Sequence, residues 1–515
     1  MIFVIICIEA SWRQSLVLGA LAVTSCLYML FGDYLPGVFS HAGMDFERFI
    51  YIVVYTSEGL FGTGLKVAAT YLFMFVILGS VLRVTKTGDF MIDMANSLLG
   101  SKVGGAAKGA MAASAGLGTI VGSSIGNVLA TGTFTIPLMK RTGFEPHVAA
   151  AVETNTSEGA QLVPPILGAS AFIMAQLTGI PYEVIALAAV VPASLYYLSL
   201  YSVVHIEALK HNISGLPEEE IPSIKKTFTR GWHLLVAPIS LFYLLLVGSY
   251  TVTFASLIAI FIAVFFGLLR KHTRFSIKEL ITFLSEGLSQ SARITALVIS
   301  IGLIQAAIVA TGLGPRLTDI ILDFSNGSLL MTASLTVVAA TVLGMGMPTP
   351  ITYLLLAMFA APALIECGST VLSAHLFLFY FAIKSGSTPP VALVAVVAAS
   401  IAEANWFRTA MTAFIHSLPG FAVAFIFLYQ PALLFDGTSD EIIFAILKAT
   451  LAVLAITSGI QGWLLSWLSL GERLVLILSG IAVFNELLTI NLVGFILISA
   501  IFFFRYFYPE VKIIK

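Results

Sequence analysis

The chain has 515 residues, 58% hydrophobic and 10% charged, with a mean hydropathy of +1.00 and a net charge of -1. Soluble domains carry about 25% charged residues, so the composition excludes a soluble globular protein and places the chain in a lipid bilayer; no nucleic-acid partner is expected. Three scattered cysteines (Cys7, Cys26, Cys367) give neither a metal-ligand spacing nor a disulfide framework, and no Gly-rich loop leads into a Lys-Ser/Thr helix start, so ATP hydrolysis has no candidate site.

In chain order, residues 1–8 are apolar but too short to span, and they lack the positive n-region of a signal peptide. Two readings stay open there: a short interfacial tail, or a chain that begins inside a larger membrane protein. The first full span is expected at 15–31. A short interfacial helix follows at 90–99, then a hairpin at 111–139 turning at Gly122-Ser123-Ser124. A broken helix covers 147–176, and a span covers 182–204. Residues 234–269 hold no charge and are too long for one span of ~20 residues. They read as two helices turning near 248–251. A crossing helix at 289–309 leads to a second short helix at 316–324. A second hairpin at 331–365 turns at Gly346-Met347-Pro348-Thr349, and a second broken helix covers 376–402.

The second set copies the first. Gly88 pairs with Gly312, Gly122 with Gly346, Pro137 with Pro362, Gly143 with Gly368, and Pro164-Pro165 with Pro389-Pro390, all at offsets of 224 or 225. Sidedness comes from Lys and Arg, which concentrate in cytoplasmic loops. Lys210, Lys225, Lys226 and Arg230 mark one loop; Arg270, Lys271, Arg274 and Lys278 mark the next. Counting spans from these puts Lys102, Lys108, Lys140 and Arg141 inside, and Arg408 inside at the end of the second broken helix. The first broken helix then runs outward and the second inward. The expected fold is an all-α polytopic membrane protein of two inverted repeats, each with a re-entrant hairpin and a broken helix. Its segments are 1–60, 61–208 (first repeat), 209–286 (linking spans and cytoplasmic loops), 287–410 (second repeat) and 411–515 (C-terminal helices).

Gly and Pro interrupting apolar segments at matching places point to a binding site built from broken helices. Bare backbone at that depth is tolerated only where protein or a water-filled cavity surrounds it. A small-residue packing seam is the plainer reading of Gly122-Ser123-Ser124; the matching turn at Gly346 argues against it. Thr154–Gln161 and Ser385–Thr388 are hydroxyl-rich runs just before each Pro-Pro. Proline removes a donor and disfavours helix at the residue before it. The freed carbonyls and the hydroxyls are hard oxygen ligands for a cation, and helix N-termini opposite suit a carboxylate. Such an arrangement suits a cation-coupled anion carrier.

Glu158 and Lys384 put one charge at each break, at nearly equivalent places. Charges at membrane depth are functional candidates. They form a structural ion pair, or Lys384 binds a substrate carboxylate or replaces a coupling cation. Glu153 carries less of the argument, and His147 and His375, near helix starts, are expected at the interface. A cation–proton antiporter, or another ion-coupled carrier using Glu158 and Lys384, is the rival reading, although an antiporter would want paired carboxylates. A membrane enzyme would want clustered His, Cys or acidic groups, which the sequence does not offer.

With these residues in view, the chain resembles the large membrane subunit of the tripartite ATP-independent periplasmic (TRAP) transporters, in the branch served by TAXI-type binding proteins. The stretches that carry the resemblance are 118–127 (GTIVGSSIGN), 134–143 (FTIPLMKRTG), 161–168 (QLVPPILG), 344–349 (GMGMPT), 374–381 (AHLFLFYF) and 387–392 (STPPVA). It covers roughly residues 58–435. The part before residue 58 is similar to the tail of a small membrane subunit, which implies a chain that needs a separate small-subunit partner or is shortened. The resemblance implies a sodium-driven elevator carrier in the bacterial inner membrane. It also implies a periplasmic TAXI-type partner that delivers a small organic acid: a dicarboxylate, keto acid or amino acid. Carried over, one sodium site would use Ser123, Ser124, Asn127 and Ser157, and the other Gly346, Thr349, Ser385 and Thr388. Asn155, Glu158, Gln161, Lys384 and Ser387 would face substrate. The family usually has small or neutral residues where Glu158 and Lys384 stand, and their opposite signs favour mutual compensation.

Overall fold

The computed structural model describes residues 2–507 except Ser15, Ser249, Asn485 and Glu486. The expected span start at Ser15 and the centre of the 248–251 turn lie outside the described residues. Nine described helical stretches are long and apolar enough to cross a membrane.

Helices α1 (Ile2–Gln14) and α2 (Leu16–Phe31) precede an amphipathic α3 (Phe46–Tyr55). A short α4 (Thr63–Val67) runs through one π-turn into α5 (Phe73–Val84). The first repeat comprises α6 (Thr87–Leu99), α7 (Gly105–Val121), α8 (Ser124–Arg141), α9 (Pro146–Gly159) and α10 (Ala169–Thr178). A long α11 (Tyr182–Lys210) follows, then α12 (Ile224–Gly231), α13 (Val236–Leu246), α14 (Val252–Leu269) and α15 (Ile277–Thr311). The second repeat is α16 (Leu313–Ser325), α17 (Leu329–Leu343), α18 (Thr349–Glu366), α19 (Val371–Lys384) and α20 (Leu393–Ala402). The chain continues as α21 (Trp406–Tyr429), α22 (Ser439–Gln461), a two-residue β-ladder (β1, Trp463–Leu464; β2, Ser466–Trp467), α23 (Leu470–Ala482) and α24 (Leu488–Phe507). The architecture is otherwise all-α.

The copies match in length. α6 and α16 have 13 residues each, α8 and α18 have 18, α9 and α19 have 14, and α10 and α20 have 10. Their first residues, 87 and 313, 124 and 349, 146 and 371, 169 and 393, differ by 226, 225, 225 and 224. Both short helices begin three residues before the expected 90 and 316. The reason is that Lys86 and Gly312 take left-handed backbone at the joints, so the chain turns with almost no loop; the second turn is 74°. α15 is also longer than the expected 289–309. A Ser276/Glu279 capping box starts it well before the apolar window. Its 35 residues extend roughly 52 Å at ~1.5 Å each.

Gly122 (φ +65°) and Gly346 (φ +74°) form the two hairpin tips, a backbone conformation open to glycine at little cost. Beyond the tips the repeats interlock. α10 packs on α18 and α19, while α20 packs on α8 and α9. Each repeat therefore completes its core with the far half-helix of the other. α11 and α21 flank the two breaks, packing on α9.

Candidate functional site

α9 is buried along almost its whole length, from Val148 to Gly159. It ends in a 3-10 turn (Ala160–Leu162), then extended Val163 and the Pro164-Pro165 pair. α19 ends in successive turns before Pro389-Pro390, the Gly386 amide donating to the Ile383 carbonyl and the Ser387 amide to the Lys384 carbonyl, each at 3.2 Å. Two residues past each pair stands a non-glycine residue at positive φ, Leu167 (+57°) and Ala392 (+46°). Such strain, about 1–3 kcal/mol per residue, clusters at functional sites.

Lys384 meets Glu158 at the centre. Its Nζ donates to Glu158 Oε2 at 2.7 Å, to Tyr196 Oη at 3.0 Å and to Asn155 Oδ1 at 3.2 Å. An ammonium has three N–H donors, so all three are used. Ser387 Oγ donates to the same Glu158 oxygen at 2.7 Å. Tyr196 Oη in turn donates to the Asn155 carbonyl at 2.7 Å, and Asn155 Nδ2 donates to the Ala413 carbonyl at 2.9 Å. The pair is thus tied to both flanking helices. Asn155, Glu158, Lys384 and Ser387 are each at most 1% exposed, so in this conformation they serve one another. Gln161 stands apart from them. Its Nε2 donates to Ser124 Oγ, linking the first break to the first hairpin.

The structure divides the first group of expected cation ligands. Asn127 and Ser157 are together: Asn127 Nδ2 donates to Ser157 Oγ at 3.2 Å and to Ser114 Oγ at 2.8 Å. Ser123 instead caps α8, accepting from the Gly126 amide at 3.3 Å, and Ser124 is engaged by Gln161. The residue at the centre of this cluster is Glu153. Its Oε1 accepts from Ser114 Oγ at 3.2 Å, from Ser157 Oγ at 3.3 Å and from Thr131 Oγ1; its Oε2 accepts from Thr135 Oγ1 at 2.7 Å. Among the described residues no basic side chain lies within ion-pair distance of Glu153. Asn127 Oδ1 and Glu158 Oε1 are buried without a hydrogen-bond partner there.

In the second group, Ser385 Oγ donates to the Ala382 carbonyl at 2.8 Å, and Thr388 Oγ1 to the Lys384 carbonyl at 2.7 Å. Both hydroxyls bond their own helix. Ser385 packs against Gly344, two residues before Gly346: a Cβ on Gly344 would lie 2.2 Å from Ser385 Cβ. Thr349 begins α18 beside the Gly346 turn. His375, expected at the interface, is buried. Its Nδ1 is 2.8 Å from Tyr353 Oη on α18, because the neighbouring hairpin covers the start of α19. His147 is half-buried, 3.3 Å from the Glu145 carboxylate.

Glu153 is the residue that sequence reasoning undervalued. The signal was present as polar spacing: Asn127, Thr131 and Thr135 recur every four residues on α8, and Glu153 and Ser157 do so on α9. Side chains four apart share a helix face, so two polar stripes in apolar helices face each other.

Residues 1–433 match the family described as the tripartite ATP-independent periplasmic transporter, DctM component. The chain is also similar to a protein of Haemophilus influenzae that is named as a TRAP transporter large permease protein. The two are 23% identical over 296 residues, 57% of this chain and 68% of that protein. The chain therefore belongs to the DctM-component family: it is a TRAP transporter large permease, an inner-membrane transport protein and not an enzyme, of a family that works with a periplasmic binding protein and a small membrane subunit.

Proposed function

We propose that this permease imports a small organic acid (a dicarboxylate, keto acid or amino acid) together with sodium, receives it from a TAXI-type periplasmic binding protein, and moves it by an elevator motion of the interlocked repeats. The observation that carries the reading is the Glu153 cage. It gathers one carboxylate, the hydroxyls of Ser114, Thr131 and Ser157, and the unpartnered Asn127 Oδ1. Hard cations take oxygen ligands of these kinds, and a carboxylate at membrane depth without a basic partner calls for a countercharge. Sodium is a co-substrate here. In this reading Asn127 and Ser157 of the expected set form the first cation site with Glu153, Ser114 and Thr131, and Ser123 and Ser124, which cap α8 and hold Gln161, leave it. Gly346, Thr349, Ser385 and Thr388 stay as the proposed second site, formed when their hydroxyls leave the helix carbonyls. Glu158 and Lys384 lock the two breaks together, and Gln161 holds the first hairpin closed over its break.

The test is uptake into proteoliposomes supplied with the binding protein and a labelled substrate. Uptake should need an inward sodium gradient and no ATP. Uptake undiminished without sodium would sink the coupling.

A further inference from the structure

One cavity lies far from the breaks. On the face carrying Lys225, Lys226, Lys271 and Arg274, cytoplasmic by the positive-inside rule, about 480 Å³ opens between α6, α12 and the loop after α14. Its charged lining is Lys86, Lys226 and Arg230, together with Asp89 and Asp93, with the His272 ring beside them. The walls are held in place. The Arg270 guanidinium donates to the Arg230 carbonyl at 3.1 Å and to the Thr229 carbonyl. Gly231 sits so close to α6 that a Cβ there would stand 2.0 Å from the Phe90 ring.

α12 has two faces. Ile224, Phe228 and Trp232, spaced four apart, are 48%, 47% and 44% exposed. Lys226, Thr227 and Arg230 turn to the cavity. A short helix with an apolar stripe and a basic face lies in the plane of the headgroups, and Trp favours that level. Lys225, Lys226 and Arg230 fix α12 at the surface rather than in the span that follows.

We propose that this cavity binds the headgroup of an inner-leaflet phospholipid that carries both a phosphate diester and a primary ammonium, a phosphatidylethanolamine, the exposed stripe of Ile224, Phe228 and Trp232 seating the cavity's wall at headgroup level. The phosphate meets Lys86, Lys226 and Arg230. The ammonium meets Asp89 and Asp93. These two stand four apart on α6, a like-charge spacing that is unfavourable without a cation. Asp93 is largely open to solvent; partial desolvation by its neighbours first, and then Asp89 beside it, push its carboxyl above the usual range, against the pull of Arg230. A purely anionic lipid leaves this acidic pair uncompensated. A quaternary choline offers it no hydrogen bond. The apolar stripe holds the cavity's wall in the headgroup layer, where lipid headgroups are far more concentrated than free cytosolic phosphate. The site does not depend on which ion drives transport.

The experiment measures binding to the delipidated whole protein by native mass spectrometry, with dioleoyl phosphatidylethanolamine, phosphatidylglycerol and phosphatidylcholine, and with chain-free glycerophosphoethanolamine as competitor. Phosphatidylethanolamine should bind about tenfold more tightly than the other two lipids. Lys226→Ala with Arg230→Ala should weaken it about tenfold. Asp89→Asn with Asp93→Asn should erase the preference over phosphatidylglycerol. These side chains are exposed, so the variants should melt with the parent; if the basic double variant melts early, Lys226→Gln carries the test in the same direction. Phosphatidylethanolamine affinity unchanged by the basic and acidic changes overturns the proposal. So does phosphatidylglycerol binding as tightly to the parent. Displacement of the lipid by equimolar glycerophosphoethanolamine would make this a site for soluble phosphates and also overturns it.

Discussion

Glu153 and Glu158 stand five residues apart on α9, both fully buried, and among the described residues only Glu158 meets a basic side chain. Five helical residues turn the chain by about 140° beyond a full circle, so the two carboxylates face different neighbours. Glu158 turns to α19 and its lysine. Glu153 turns to the first hairpin and its hydroxyls. Under the proposed coupling, one carboxylate has a fixed countercharge and the other receives a mobile one.

Replacing Glu153 with Gln tests that division. The amide keeps the size and much of the hydrogen bonding but removes the charge. A ligand at about 100 times its Kd stabilises the folded state by ~2.7 kcal/mol. Saturating sodium should therefore raise the parent's Tm and leave the Glu153→Gln variant unmoved, and sodium-driven uptake should be lost. A variant that still shows the full sodium-induced rise in Tm would remove Glu153 from the site.

Breaking the Glu158–Lys384 pair from one side leaves a buried charge alone, at a cost of ~3–5 kcal/mol, whereas neutral replacement of both partners is often tolerated. Glu158→Gln or Lys384→Met alone should lower Tm sharply or abolish expression. The double change should restore expression. Lys384 has no donor left for substrate in this conformation, so the double variant should also keep measurable uptake. A well-folded double variant without uptake would instead assign Lys384 to the substrate.

The repeat, the hairpin tips and the breaks were legible because Gly and Pro act locally: each fixes backbone geometry whatever surrounds it. The Glu158–Lys384 pairing was legible for a related reason, since the repeat offset alone brought the two charges to one depth. The Glu153 cage was legible only as two polar stripes; that Ser114, Thr131 and Thr135 reach the carboxylate from α7 and α8 belongs to tertiary packing. The same holds for His375, whose partner Tyr353 lies on the preceding helix. The long start of α15 carries no hydropathy signal because its first turns are charged, and hydropathy marks only the part within lipid.

Gly118 is where the first hairpin touches the first break. A Cβ there would lie 2.2 Å from Ala160 Cβ and 2.7 Å from Asn127 Nδ2. Gly118→Ala must push α7 away from the 3-10 turn that follows α9, and overpacking of this kind costs about 1–3 kcal/mol. It should also weaken apparent sodium affinity, because Asn127 is displaced. Gly116→Ala is the control on the same helix, where the nearest atom to a new Cβ is the flexible Met91 sulfur at 3.4 Å. Equal sodium affinity in the two variants would count against a link between hairpin packing and the cation site.

The tip of the second hairpin touches a helix outside the repeats. A Cβ on Gly346 would lie 3.4 Å from Val17 Cγ2 on α2, and α2 packs on α15. If the repeats travel as one body, this contact must break in the opposite state. Cysteines at Val17 and Gly346, in a background with Cys7, Cys26 and Cys367 replaced, allow a short reducible cross-linker to join them. Gly346→Cys places a side chain at positive φ and is strained by itself, so the comparison is within the double variant. Uptake should fall to background on cross-linking and return on reduction. Unchanged uptake in a sample shown by mass to be fully cross-linked would mean that the hairpin tip keeps its place on α2 throughout the cycle, which an elevator motion of the repeats against α2 does not permit.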